Sequence, residues 1–284
     1  MMNNNKQYAL GLYEKAMPNE LSIKQKLAET YAAGFNFMEI SIDETDEKLA
    51  RLKWNKAERL EILKQSYEIG VGIKTMCLSG HRKFPLGSLD ANIRARSLEI
   101  MSDAIELASD LGVRIIQLAG YDEYYNPSNE ETKTLFRENL RKCVEMAAKN
   151  SVILAFETME TPFMDMVAKS MEYVSEINSP YLKIYPDLGN LTNAAKLYQH
   201  DVIDDIKSGR GHIAAMHLKE TVPGVYRDMT FGAGHVDFPA AIKTAWDMGV
   251  RLFTAEFWYL GSENWRGDLR DAREFIEEKI KKAV

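Results

Sequence analysis

Four residues of this 284-residue chain have the types and placement that metal chemistry needs: Glu157, Asp187, His217 and Glu256. Each sits at or just beyond the end of a short apolar run, in Ala155-Phe-Glu157, Ile184-Tyr-Pro-Asp187, Ala215-Met-His217 and Thr254-Ala-Glu256. One glutamate at such a place is usually a solvated rim residue. One histidine inside an apolar run is usually a packed core residue. Four in register are different. Three carboxylates and an imidazole converging on one point repel one another unless a cation lies between them. Oxygen-rich ligation with one nitrogen suits Zn²⁺, Mn²⁺, Co²⁺ or Mg²⁺ and does not choose among them.

That convergence requires elements that bring the four run ends to one level. Apolar runs at residues 8–12, 35–40, 72–78, 113–118, 152–156, 181–185, 213–218 and 252–257 read as buried parallel strands. Segments with helical periodicity lie between them. The first spans 21–33, with Asn19 as its expected N-cap. Gly34, Gly70, Gly112, Asn150 and Gly249 mark helix ends, because these residues tolerate the left-handed conformation. Eight strand-and-helix units of roughly 35 residues fit a (β/α)₈ TIM barrel in one domain spanning 1–284. A doubly wound open sheet is the runner-up, but the first strand is not followed by the glycine-rich turn of that fold. No phosphate-binding GxxxxGK[ST] loop, GxSxG elbow or CxxC pair is present.

In such a barrel the chemistry sits at the C-terminal ends of the strands. Cations gather there: Arg82 and Lys83 after the third strand, Lys219 and Arg227 after the seventh. They suggest an anionic substrate such as a sugar phosphate. Arginine can grip its phosphate bidentately, and the turn Phe231-Gly232-Ala233-Gly234 can offer backbone N–H groups. His81 faces the same mouth and is an expected substrate contact. His235 lies in a loop that can fold over the site, His212 belongs at the opposite end, and His200 reads as a surface residue.

The formal charge of −6 argues against nucleic-acid binding, which depends on neutralising phosphates. No apolar run reaches the ~18 residues of a membrane span, and the polar start at 1–6 does not read as a secretory signal. Cys77 and Cys143 read as reduced, buried thiols, which fits a cytoplasmic protein. Trp54, Trp258 and Trp265 are candidates for a pocket or subunit interface, and the oligomeric state, a homodimer included, stays open.

Longer motifs narrow the reading. Glu39-Ile-Ser-Ile-Asp43-Glu44, Cys77-Leu-Ser-Gly-His81-Arg82-Lys-Phe-Pro-Leu-Gly87, Gln117-Leu-Ala-Gly-Tyr121-Asp122, Tyr185-Pro-Asp187-Leu-Gly-Asn190 and Phe231-Gly-Ala-Gly-His-Val-Asp237 occur in order. Together they resemble the L-ribulose-5-phosphate 3-epimerases, also called L-xylulose-5-phosphate 3-epimerases, among the xylose-isomerase-like barrels. The resemblance runs from about residue 10 to about residue 280. It implies a divalent metal on two Glu, one Asp and one His, matching the four residues above, with Glu157 and Glu256 as the acid/base pair. It implies inversion of a pentulose phosphate at C3 through a cis-enediolate, in carbohydrate (pentose phosphate and L-ascorbate) breakdown. His81, Arg82, Gln117, Asn190, Lys219 and Arg227 are then the expected substrate contacts.

Strands 5 and 8 stand roughly 135° apart around an eight-stranded ring, so their two glutamates can flank a substrate between them. The nearest alternative is an epimerase or isomerase of an unphosphorylated ketose or aldose on the same site. An abasic-site nuclease on a related barrel would resemble a histidine-rich multi-zinc protein, and five histidines with a −6 charge count against it. A carbohydrate-binding protein without turnover would have no use for a glutamate on each side.

Overall fold

A computed structural model describes residues 7–284. Its strands are β1 (Ala9–Tyr13), β2 (Phe37–Ile42), β3 (Gly72–Leu78), β4 (Ile115–Ala119), β5 (Ile153–Glu157), β6 (Leu182–Ile184), β7 (Met216–Leu218) and β8 (Leu252–Ala255). All eight expected runs fall on a strand. The strands pair in parallel, in the order β6-β5-β4-β3-β2-β1-β8-β7. Isolated parallel bridges Ile184–Ile213 and Asp187–His217 join β6 to β7 and close the TIM barrel.

The described residues hold ten α-helices rather than eight: α1 (Ile23–Ala32), α2 (Asp46–Ala50), α3 (Lys56–Ile69), α4 (Ala91–Leu111), α5 (Glu130–Lys149), α6 (Val167–Ile177), α7 (Leu188–Tyr198), α8 (Val202–Ser208), α9 (Phe238–Asp247) and α10 (Trp265–Ala283). The unexpected pair, α2 and α8, are short. Thr45 and Asp201 cap them. The cap of α1 is Ser22, not Asn19: Ser22 and Gln25 satisfy each other's backbone N–H groups in a capping box.

Helix ends follow one chemical rule. Gly70 and Gly112 adopt the left-handed conformation at the end of α3 and α4. The amides of Phe35, Val113, Val152 and Val250 each reach back to the carbonyl five residues earlier, which satisfies an orphan acceptor of the last turn. Asn150 departs from its expected part. Its φ is −107° and its side chain donates to the Met146 carbonyl, while Ser151 takes the positive φ.

The main apolar core fills the space between the outer face of the sheet and the helices. The lumen is mixed. Ile115, Ala155, Tyr185 and Ala215 form a small apolar plug, and above it lie Glu39, Thr75, Gln117, His217 and Thr254, all fully buried. Buried polar groups at this density require partners, and those partners form the site. Cys77 and Cys143 are free and buried, as expected. No helix among the described residues is long and apolar enough to cross a membrane.

Candidate metal centre and active site

Each ligand side chain is placed by backbone. Glu157 is the last residue of β5, paired with Ala119 of β4. Asp187 is the N-cap of α7, where Oδ1 accepts the Asn190 amide at 2.6 Å and Oδ2 is left with no hydrogen-bond partner. His217 is the central residue of β7, and Glu256 follows β8 with its amide on the Leu218 carbonyl at 2.9 Å. The four expected ligands do converge. One donor atom from each lies within 4.8 Å of the others, and all four residues are buried. His217 Nδ1 is 2.9 Å from Glu256 Oε2, 3.6 Å from Glu157 Oε1 and 4.0 Å from Asp187 Oδ2.

The electrostatics favour a cation there. Burial opposes charge on every member of the group. It pushes Glu157 up, with Glu256 adding to the rise. Against burial, Lys219 and His217 hold Glu256 well below the usual carboxylate range. Burial alone would depress His217, yet Glu39 and Glu256 hold its pKa well above the ordinary value. Four buried carboxylates, Glu39, Glu157, Asp187 and Glu256, thus share one buried lysine and one imidazole. The unpartnered Asp187 Oδ2 and the negative surplus suit a divalent ion.

Below the four ligands is a layer that sequence reasoning did not single out. Glu39 of β2 places Oε1 2.6 Å from His217 Nε2. Its Oε2 accepts from Thr75 at 2.7 Å and from the Tyr185 hydroxyl at 3.1 Å. Thr254 Oγ1 lies 2.6 Å from that hydroxyl. A carboxylate inside an apolar barrel strand was the available signal, because alternate residues of such a strand face the lumen.

The expected substrate contacts separate into groups. Arg82, Asn190, Lys219 and Arg227 line a small cavity directly above Glu157 and Glu256, together with Tyr13 and Trp258. Arg82 stacks 4.6 Å from the Tyr124 ring centre and its buried Nε has no partner. Arg227 stands over Trp258 at 5.7 Å and 3.6 Å from Glu160. Lys219 lies deeper, 3.1 Å from Asp187 Oδ1 and 2.9 Å from Asn190 Oδ1, so its charge serves the carboxylate cluster rather than the rim. Gln117 is lower still, with Nε2 3.1 Å from His217 Nδ1.

His81 turns the other way. Its Nε2 meets the Ser97 carbonyl of α4 at 3.1 Å, and burial pushes its pKa down to about 4. It belongs to the packing of α4 and not to the cavity lining. The glycine turn also differs from expectation. The Glu220 carboxylate accepts the Gly232 amide at 2.9 Å and the Val236 amide at 3.2 Å, and the Ala233 and His235 amides bond to backbone carbonyls. The chain's own Glu220 carboxylate and backbone carbonyls therefore take four of the amides in and beside this turn. A larger apolar cleft of about 460 Å³ lies behind Trp258, bordered by Phe231, Phe257, Trp265 and Phe275, and contains none of the four ligands. Trp54 borders a separate surface groove.

Comparison with known proteins agrees with the barrel fold. The family model of the xylose isomerase-like TIM barrel matches residues 27–279. The L-ribulose-5-phosphate 3-epimerases UlaE of Salmonella paratyphi A and of Escherichia coli O139:H28 are each 42% identical over 279 residues, covering 98% of this chain and 97% of theirs. Among solved structures, a D-psicose 3-epimerase from Clostridium cellulolyticum H10 superposes with a TM-score of 0.81 at 14% identity, covering 96% of this chain and 99% of its own. That likeness is one of fold.

Proposed function

The chain belongs to the L-ribulose-5-phosphate 3-epimerases, a family of xylose isomerase-like TIM barrels, and on that premise we propose that it interconverts L-ribulose 5-phosphate and L-xylulose 5-phosphate by inversion at C3. One observation carries the reading most strongly. Glu157 and Glu256, from β5 and β8, both border the cavity and both belong to the same four-residue cation site. Inversion requires a group that removes a proton from one face of a carbon and a second that returns it to the other. Two carboxylates on separate strands, both bordering the small cavity at the mouth, meet that need.

Glu157, Asp187, His217 and Glu256 would hold the divalent ion, which when bound supplies Lewis-acid polarisation of the C2 carbonyl and so acidifies the C3 proton. Glu157 and Glu256 exchange that proton with the substrate. Asp187 contributes charge and is kept rigid by its place at the start of α7. Lys219 offsets the negative charge of the cluster through Asp187 and Glu256. Trp258 and Tyr13 wall the cavity. Arg82 and Arg227 stand at the rim, the height at which a C5 phosphate would emerge.

The deciding experiment is proton NMR of L-xylulose 5-phosphate with the enzyme and Zn²⁺ or Co²⁺ in D₂O. Loss of the C3 proton signal with appearance of L-ribulose 5-phosphate is expected. Exchange with a free ketose but not with the phosphate ester would remove the phosphate from the reading and leave the epimerase chemistry.

A further inference from the structure

We propose that Glu39 is a positioning residue for the cation site: it holds the Nε2–H of His217 and thereby commits Nδ1 to the ion. The inference rests on the four-residue cation site described above. Three observations carry it. First, His217 Nε2 is 2.6 Å from Glu39 Oε1, while Nδ1 is the ring nitrogen directed at Glu256, Glu157 and Asp187. Gln117 Nε2 lies near both ring nitrogens, 3.1 Å from Nδ1 and 3.3 Å from Nε2, but the carboxylates divide between them, Glu39 at Nε2 and the three ligand carboxylates at Nδ1.

Second, Glu39 is fully buried and, among the described residues, makes no ion pair with a lysine or arginine. A buried carboxylate without a counter-charge is expensive. The imidazole Nε2–H is placed to donate to one oxygen, and Thr75 and Tyr185 donate to the other.

Third, the layer repeats the architecture of the layer above. Tyr185, just after β6, stands two residues before Asp187, and Thr254 of β8 stands two residues before Glu256. Residues two apart on a strand share a face. The Tyr185 hydroxyl bridges Glu39 to Thr254, so β2, β3, β6, β7 and β8 are joined one step beneath the ligands. A histidine ligand held this way cannot rotate to offer the wrong nitrogen. The negative charge behind the ring also strengthens the nitrogen's donation to the metal.

The test uses the full chain with Zn²⁺ alone. Glu39→Gln keeps the shape and can still accept from Nε2–H, but it removes the charge. It is expected to bind Zn²⁺ about 10- to 100-fold more weakly in chelator competition. Long-range ¹H–¹⁵N spectra of Zn²⁺-loaded wild type should show Nδ1 of His217 ligated and Nε2 protonated, with a strongly downfield Nε2–H that moves upfield in the variant. A simple packing role would leave both signals in place. Zn²⁺ affinity within threefold of wild type together with an unmoved Nε2–H would overturn the proposal. Should the variant not fold, the wild-type spectrum decides alone, since ligation through Nε2 excludes the assigned role. Failure of the underlying site looks different: His217→Ala and Asp187→Asn would then bind Zn²⁺ as tightly as wild type.

Discussion

Asp187 uses its two oxygens for different ends, and two substitutions separate them. Oδ1 caps α7 and Oδ2 has no protein partner. Asp187→Asn keeps a capping oxygen and loses ligand charge, so Zn²⁺ affinity should fall while stability without added metal changes little. Asp187→Ala loses both and should cost about 0.5–2 kcal/mol more in urea unfolding; equal stability of the two variants would deny the cap any weight. Glu157→Gln and Glu256→Gln, measured at saturating metal, should each lower C3-proton exchange by roughly 10²- to 10⁴-fold. Full activity in either would sink the two-sided proton transfer. Arg227→Ala should raise KM for the phosphate ester far more than it lowers kcat, because a distant handle binds substrate and transition state alike. An unchanged KM would place the phosphate elsewhere. The four ligands were legible because each lies at or close to the C-terminal end of an apolar run, where the barrel puts its chemistry. Glu39 was not, because the alternation of the strand marks it as lumen-facing only once the strand's other residues have been assigned to a face. His81 misled for a related reason. Its position after β3 is at the mouth, but the short turn Gly80–Arg82 directs the ring toward α4.

At the scale of elements, the start of the barrel is held by a buried charge cluster that explains a helix the sequence pattern hid. Glu14 directly follows β1 and is fully buried. Lys26 of α1, Lys48 of α2 and Arg51 just after α2 all pair with it. The five residues of α2 carry too little apolar periodicity to be recognised, and ion pairing to Glu14 fixes them instead. Burial alone would raise the Glu14 carboxyl, but Arg51, Lys48 and Lys26 outweigh it and hold the pKa at about 2, against 4.5 ordinarily. The sign follows from that depression. The contribution is fully present above pH 4.5 and is lost as pH falls towards 2. Glu14→Gln leaves three cations crowded in a buried site and should destabilise the fold by roughly 3–5 kcal/mol at pH 7. Urea midpoints followed from pH 6 to pH 2.5 should then converge, because wild type loses at low pH what the variant already lacks. A constant gap across that range would show that Glu14 is ionised equally in folded and unfolded chains. The strands were far easier to read than this helix: uninterrupted Ile, Leu, Val and Phe runs have no other place to go in a parallel barrel.

For the whole molecule, the site and the closure of the barrel are one problem. β2 and β3 pair through six residues and β4 and β5 through five, but β6 and β7 meet only at the bridges Ile184–Ile213 and Asp187–His217. The bonds across that seam are Ile184 N to His212 O at 2.8 Å, Ala214 N to Ile184 O at 2.9 Å and His217 N to Pro186 O at 3.0 Å. The four ligands come from β5 to β8, two on each side of the seam, and the second bridge is itself a pair of ligands. The sequence showed eight strands but not which neighbouring pair would be weakest, since pairing length depends on how α7 begins immediately at Asp187 and cuts β6 short. A divalent ion there should act as a clip. At 100 times its Kd it would stabilise the fold by about 2.7 kcal/mol. More tellingly, the gain in amide-exchange protection should be concentrated at Ala214 and His217 and be small in β2 and β3, which already pair through six residues. Zn²⁺ addition followed by chelator removal, read by hydrogen exchange with fragment resolution, checks this. Protection that rises uniformly would make the ion an ordinary ligand of a finished barrel. Protection that rises first at the seam would mean that the cation needed for the chemistry also completes the ring that presents it.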